Sequence, residues 1–155
     1  VSTIASAMSV VLFAMTAIVW AETKPGWVIY QTSHSFKTMV GKLNAAVKAE
    51  KMGLVTRASA SAGAKGRKII IPGNMIVGVY RNDFAVRMLE ASLDAGLEAP
   101  IRFYLTENPD GTTRLAYKTP TAVFSPYFEE GGEKLKAMAA ELDLIFATIA
   151  KKSIQ

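Results

Sequence analysis

The chain has 155 residues, half of them hydrophobic, with no cysteine and one histidine, and 18 Lys/Arg against 13 Asp/Glu leave a net charge of +5. This is globular composition on the scale of one domain. It excludes disulfides, thiol catalysis, redox CxxC pairs and c-type haem attachment, and it argues against a structural zinc site, although carboxylates could still bind a harder cation. No motif points to a metal or cofactor, and none is expected.

Residues 1–21 carry no charged side chain, and Ile4 to Ala21 is almost wholly apolar. A membrane span needs roughly 20 such residues. Val19-Trp20-Ala21 places branched and small groups before Glu22, as at a signal cleavage site. A cleaved secretory signal over 1–21 is the expectation, with an uncleaved anchor as the alternative. The protein is then exported: periplasmic, or held on the membrane through 1–21 alone.

Residues 22–32 read as a linker and a first strand, Trp27 to Tyr30, rich in aromatic and β-branched residues. Residues 33–155 read as a single α+β domain. Ser33 or Ser35 caps a helix whose apolar stripe is Phe36, Met39, Val40, Leu43 and Val47, with Gly53 as its C-cap. Leu54 to Ser61 is a second strand, and Ala62 to Arg67 a connector or short helical turn. After the turn residues Pro72-Gly73-Asn74, the apolar run Met75 to Tyr80 reads as a strand buried on both faces. Asn82 caps a second helix, Asp83 to Ala95, closed by Gly96.

Pro100 opens a strand in which Ile101, Phe103 and Leu105 alternate with Arg102, Tyr104 and Thr106. Asn108-Pro109-Asp110-Gly111 is a turn, and Thr112 to Lys118 completes an antiparallel hairpin. Thr119 to Glu130, with Pro120 and Pro126, reads as irregular. The last helix carries the stripe Leu135, Met138, Leu142, Ile145 and Ile149. The order β-α-β-connector-β-α-β-β-α predicts a two-layer α+β sandwich, a mostly antiparallel sheet with helices on one face.

Several of these segments together resemble a bacterial family catalogued as domain of unknown function 302. They are Met52-Gly53-Leu54, Val77-Gly78-Val79-Tyr80-Arg81-Asn82, Met88-Leu89-Glu90-Ala91 and Ala99-Pro100-Ile101-Arg102, with Asp110-Gly111 at the turn and Tyr117-Lys118-Thr119-Pro120 closing the hairpin. Where the family pattern has Gly-Asn-Pro after the third strand, this chain has Asp83 in place of the proline. The resemblance implies a TATA-binding-protein-like arrangement of helices on a sheet, and no established activity.

Two places could carry chemistry. At the junction Gly78 to Asp83 a strand feeds a helix N-terminus, whose free N–H groups, with Arg81 and Asn82, could hold an anion; plain capping is the competing reading. Arg102 and Tyr104 share one strand face, and Arg114 joins them if the register allows. If that face is covered by helices, a buried arginine needs a carboxylate partner, which Asp94, Glu98, Glu141 or Asp143 could supply, or a bound anion. If the face is open, these are ordinary solvated residues. His34 reads as an ordinary histidine near a helix start, and the scattered methionines as core. The modest, dispersed charge and the export reading argue against nucleic acid.

The leading functional expectation is an exported binding or accessory module for a small anionic or amphipathic molecule. A hydrolase- or isomerase-type enzyme using carboxylate, tyrosine or arginine chemistry in the same cleft is the less favoured alternative. The third is a structural subunit of an envelope complex; a homodimer is also compatible with the sequence.

Overall fold

Two sequence periods, 2 and 3.6, divide the chain from Trp27 onward, and a computed structural model shows how they pack. It describes residues 24–155; the expected signal segment, 1–21, lies outside the described residues. The strands are β1 (Trp27–Ser35), β2 (Gly53–Ala58), β3 (Asn74–Tyr80), β4 (Ile101–Glu107) and β5 (Thr112–Lys118). The helices are α1 (Phe36–Ala49), α2 (Ala60–Gly66), α3 (Asn82–Ala91), α4 (Pro120–Phe124) and α5 (Phe128–Ile154). Short 3-10 turns at Asp94–Glu98 and Ser125–Tyr127 join α3 to β4 and α4 to α5.

One five-stranded sheet in the order β1-β5-β4-β3-β2 is antiparallel at every pairing. Helices α1, α3 and α5 cover one face. The alternation read in β4 decides this: Ile101, Phe103 and Leu105 are buried beneath the helices, while Arg102, Tyr104 and Thr106 point the other way. Helix α5 sends Leu135, Met138, Leu142, Phe146 and Ile149 into the same core. Its Phe146 ring stacks on Phe103 at 4.8 Å and tilts against Tyr117 at 5.9 Å. Phe103 and Tyr117 face each other across β4 and β5, so this one helical ring seats α5 on the middle of the sheet. Burial there pushes the Tyr117 phenol up to about 12.

The turns follow local chemistry, with several departures from expectation. Ser35 caps α1 by accepting the Thr38 N–H. Gly53 is not the C-cap of α1 but the first residue of β2. The left-handed residue is Lys51 (φ 56°), where Met52 N–H donates to Val47 O and Lys51 N–H to Lys48 O. This pairing closes the helix whatever residue takes the turn. Strand β2 ends at Ala58, because Ser59 accepts the Ala62 N–H and starts α2 at Ala60.

Strand β3 is not buried on both faces. Val77 and Val79 enter the core, but Ile76 points to the uncovered side and is 39% exposed. Gly78 is buried on that side only because Thr56 and Pro100 close over it; an added Cβ would meet both. Asn82 does not cap α3. Arg81 occupies the cap position without a side-chain capping bond, and Asn82 is the first helical residue, accepting from the Tyr80 hydroxyl at 3.3 Å. Helix α3 ends at Ala91, and Gly96 lies within the following 3-10 turn. Buried Ser92 turns the chain by accepting the Ala95 N–H and donating to Glu130.

Thr119 to Glu130 is mostly helical, not irregular. Pro120 sits in the first turn of α4, where its missing N–H costs nothing, and Thr119 accepts the Ala122 N–H. Helix α5 then begins at Phe128, with a break at Gly132 (φ 55°).

Candidate functional site

The uncovered sheet face is built from outward positions of all five strands. Its central row is Ile29, Ala116, Tyr104, Ile76 and Ala58, cross-strand neighbours in the ladder. On one side of this row Gln31, Arg114, Thr106 and Asn74 form a polar row. On the other side stand Trp27 beside Lys118, and Arg102 beside Gly78. The face therefore has an apolar and aromatic floor with cations on both flanks, and no strand contributes a carboxylate to it.

One end of the face is walled. Helix α4 and the 3-10 turn after it bring Ala122, Val123 and Pro126 over the sheet, and Glu98 approaches from the turn before β4. Together with Trp27, Arg102, Tyr104, Lys118 and the floor at Ala116, they enclose a groove of about 330 Å³. Ala116 points outward yet is completely buried. The wall is fastened twice: Asp143 of α5 accepts from both the N–H (2.8 Å) and the hydroxyl (2.6 Å) of Thr121. Tyr127 donates to Glu98 at 3.0 Å, which raises the tyrosine's pKa and ties the turn before β4 to the 3-10 turn after α4. Trp27 is braced by the Lys24 ammonium 5.4 Å from its ring centre.

The structure places Arg102, Tyr104 and Arg114 on this one face; the β4–β5 register settles Arg114, which lies opposite Thr106. Arg102 and Tyr104 line the groove, and Arg114 stands beyond it. Among the described residues, Arg102, Arg114 and Lys118 form no ion pair. Of the four carboxylates named as possible partners, Glu98 lines the groove and accepts from Tyr127, Asp143 accepts from Thr121, and Glu141 holds Arg87 in a bidentate pair at 2.7 and 2.8 Å. Asp94 forms no ion pair among the described residues.

Arg81 and Asn82 are not brought to the groove. Arg81 forks onto Asp83 at 2.7 and 3.0 Å and lies 4.4 Å from the centre of the Phe84 ring. That pairing holds the Asp83 carboxyl below its usual range and raises the arginine. The cavity beside Arg81, about 30 Å³ between β3 and α3, has room for little more than one water. His34 stands in the irregular end of β1, its N–H donating to Thr32 Oγ1. Among the described residues no group of His, Asp or Glu is arranged to hold a metal ion.

Trp27, Ile76, Lys118 and the α4 wall were not anticipated as site residues, whereas Glu98 was named as a candidate partner for the arginines. Lys118 had a signal, since 114, 116 and 118 alternate on β5 as 102 and 104 do on β4. Ile76 was hidden inside a continuous apolar run, and the wall inside a segment read as irregular.

Helices α1, α3 and α5 on one face and a half-walled open face on the other define a two-layer α+β domain with an antiparallel sheet. Residues 28–149 match the family described as Domain of unknown function DUF302, and the chain belongs to that family. A similar solved structure is that of an uncharacterized conserved protein DUF302 from Bacillus stearothermophilus, with a TM-score of 0.72 and 18% identity over 83% of this chain and 98% of that one. This likeness is one of fold. No curated protein matches the chain.

Proposed function

We propose that the protein is a binding module for a small amphipathic anion, an aryl or short acyl carboxylate, sulfonate or phosphate, seated in the open-face groove. The observation that carries this reading is the pairing of an apolar floor with Arg102 and Lys118, two cations without an ion-pair partner among the described residues. The volume lies at the small end of ligand sites. Ile76 and Tyr104 would take the apolar body, and the Arg102 guanidinium the head group by a charge-assisted fork. The apolar run Ile4–Ala21 supports placing this module outside the cytoplasm, with the segment removed or kept as an anchor.

The test is calorimetric titration of the full chain with 8-anilinonaphthalene-1-sulfonate, an aromatic sulfonate. Arg102→Ala is expected to weaken binding about tenfold, the order of a charged hydrogen bond. Ala116→Leu, which fills the floor, is expected to abolish it. Equal affinity in the parent and both variants refutes the groove as the site.

A further inference from the structure

The positive charge of this protein is localised. Between Glu50 and Asp83 the chain has six of its eighteen Lys/Arg and none of its thirteen Asp/Glu. The rest of the sequence is close to neutral. Within this stretch, α2 buries no residue at all, and Lys65, Arg67 and Lys68 are all exposed.

Directly after these cations come three isoleucines. Ile69 is 44% exposed, Ile70 94% and Ile71 40%. A slack loop would fold such side chains back onto the protein. This loop is pinned at both ends. Ile69 N–H donates to Ala64 O at 2.9 Å and Lys68 N–H to Lys65 O at 3.0 Å, with Lys68 in the left-handed region (φ 62°). At the far end Gly73 N–H donates to the Glu107 carboxylate at 2.6 Å and Gly73 O accepts the Glu107 N–H at 2.7 Å. The Phe36 ring presses on Gly73 so closely that a Cβ there would lie 2.7 Å from it. Ile70 is thus held outward on a fixed tip.

We propose that this tip is a membrane-docking wedge. Ile70 enters the boundary between head groups and acyl chains of an anionic bilayer, and Lys65, Arg67 and Lys68 lie among the lipid phosphates. An apolar tip collared by cations and lacking any nearby acid in sequence complements that surface in both hydropathy and charge. No described helix is long and apolar enough to cross a membrane; the wedge attaches the domain without a span. It is separate from the open-face groove and does not depend on it.

The absence of native cysteine makes the test position-specific. Ile70→Cys in the full chain is labelled with the environment-sensitive fluorophore NBD. Leu97→Cys serves as control: it is 85% exposed and precedes β4 at the other end of the sheet. With vesicles of equal phosphatidylglycerol and phosphatidylcholine, the label at 70 is expected to shift to the blue and brighten severalfold, and the label at 97 to stay unchanged. Replacing Arg67 and Lys68 by Gln should lower the apparent partition coefficient about fivefold per cation removed. Unchanged circular dichroism and melting temperature establish that these surface variants are folded. The proposal is overturned by no response at 70, by an equal response at 97, or by an equal response to pure phosphatidylcholine. Brightening at 70 with protein concentration alone also overturns it, since that assigns the tip to self-association.

Discussion

Phe146→Ala is the most direct probe of how the helical layer holds the sheet. The ring is completely buried and makes two aromatic contacts, one stacked at 4.8 Å and one tilted at 5.9 Å, to residues on adjacent strands. Truncating a buried phenylalanine costs about 3–5 kcal/mol. Each aromatic pair accounts for about 0.5–1.5 kcal/mol of that. Phe146→Leu, which keeps apolar burial but loses both pairs, should cost about 1–3 kcal/mol. At roughly 4 °C per kcal/mol for a domain of this size, Phe146→Ala lowers the melting temperature by about 12–20 °C. Urea unfolding followed by far-ultraviolet circular dichroism measures the same difference. A double-mutant cycle with Phe103→Leu should return a coupling near 1 kcal/mol. The exposed Arg87–Glu141 pair that also ties α5 to α3 offers little compensation. A loss below about 1 kcal/mol in Phe146→Ala refutes the seating of α5 across β4 and β5.

Two further predictions concern titration and backbone conformation. The Tyr117 phenol is raised to about 12 when folded, chiefly by burial, with Tyr30 and Asp143 adding to the shift. Since an unfolded tyrosine ionises near 10, its contribution is fully present below about pH 10 and is lost as pH rises toward 12, by roughly 2–3 kcal/mol; a flat stability profile from pH 9.5 to 11.5 refutes this. Lys51→Gly relieves a left-handed lysine in an otherwise satisfied helix end, so it should stabilise by about 0.5–1 kcal/mol in thermal melts, and a lower melting temperature contradicts the assigned conformation.

Elements with one dominant local signal were readable from the sequence. The β4 alternation, the 108–111 turn and the α5 stripe each have a single geometric solution, and together they imply a sheet under helices. The misreadings share a cause, which is competition between local signals of similar strength. Gly53 outranks Lys51 as a C-cap by propensity, yet the hydrogen bonds at Lys51 and Met52 decide where α1 ends. Asn82 outranks Arg81 as an N-cap, but Arg81 is held by its own fork onto Asp83. Pro120 reads as a helix breaker unless Thr119 is recognised as the cap before it. On the open face, Arg102 and Tyr104 were legible because strand alternation is local, whereas Arg114 waited on the register of β5 against β4. Trp27 and Ile76 come from two other strands, and only cross-strand register and tertiary packing bring them beside Arg102.

The sheet order also sets a timetable for synthesis. Strands β2, β3, β4 and β5 are laid down in the order in which they pair, so each meets its neighbour soon after leaving the ribosome. β1 is made first and pairs last: Thr32 hydrogen-bonds to Thr113, 81 residues later. At about 5–20 residues per second, the nascent chain carries β1 unpaired for at least about 4 s, with Val28, Ile29 and Tyr30 unsheltered. Trp27 travels with that strand, so the open-face groove takes shape only when the final edge is zipped onto an otherwise assembled sheet.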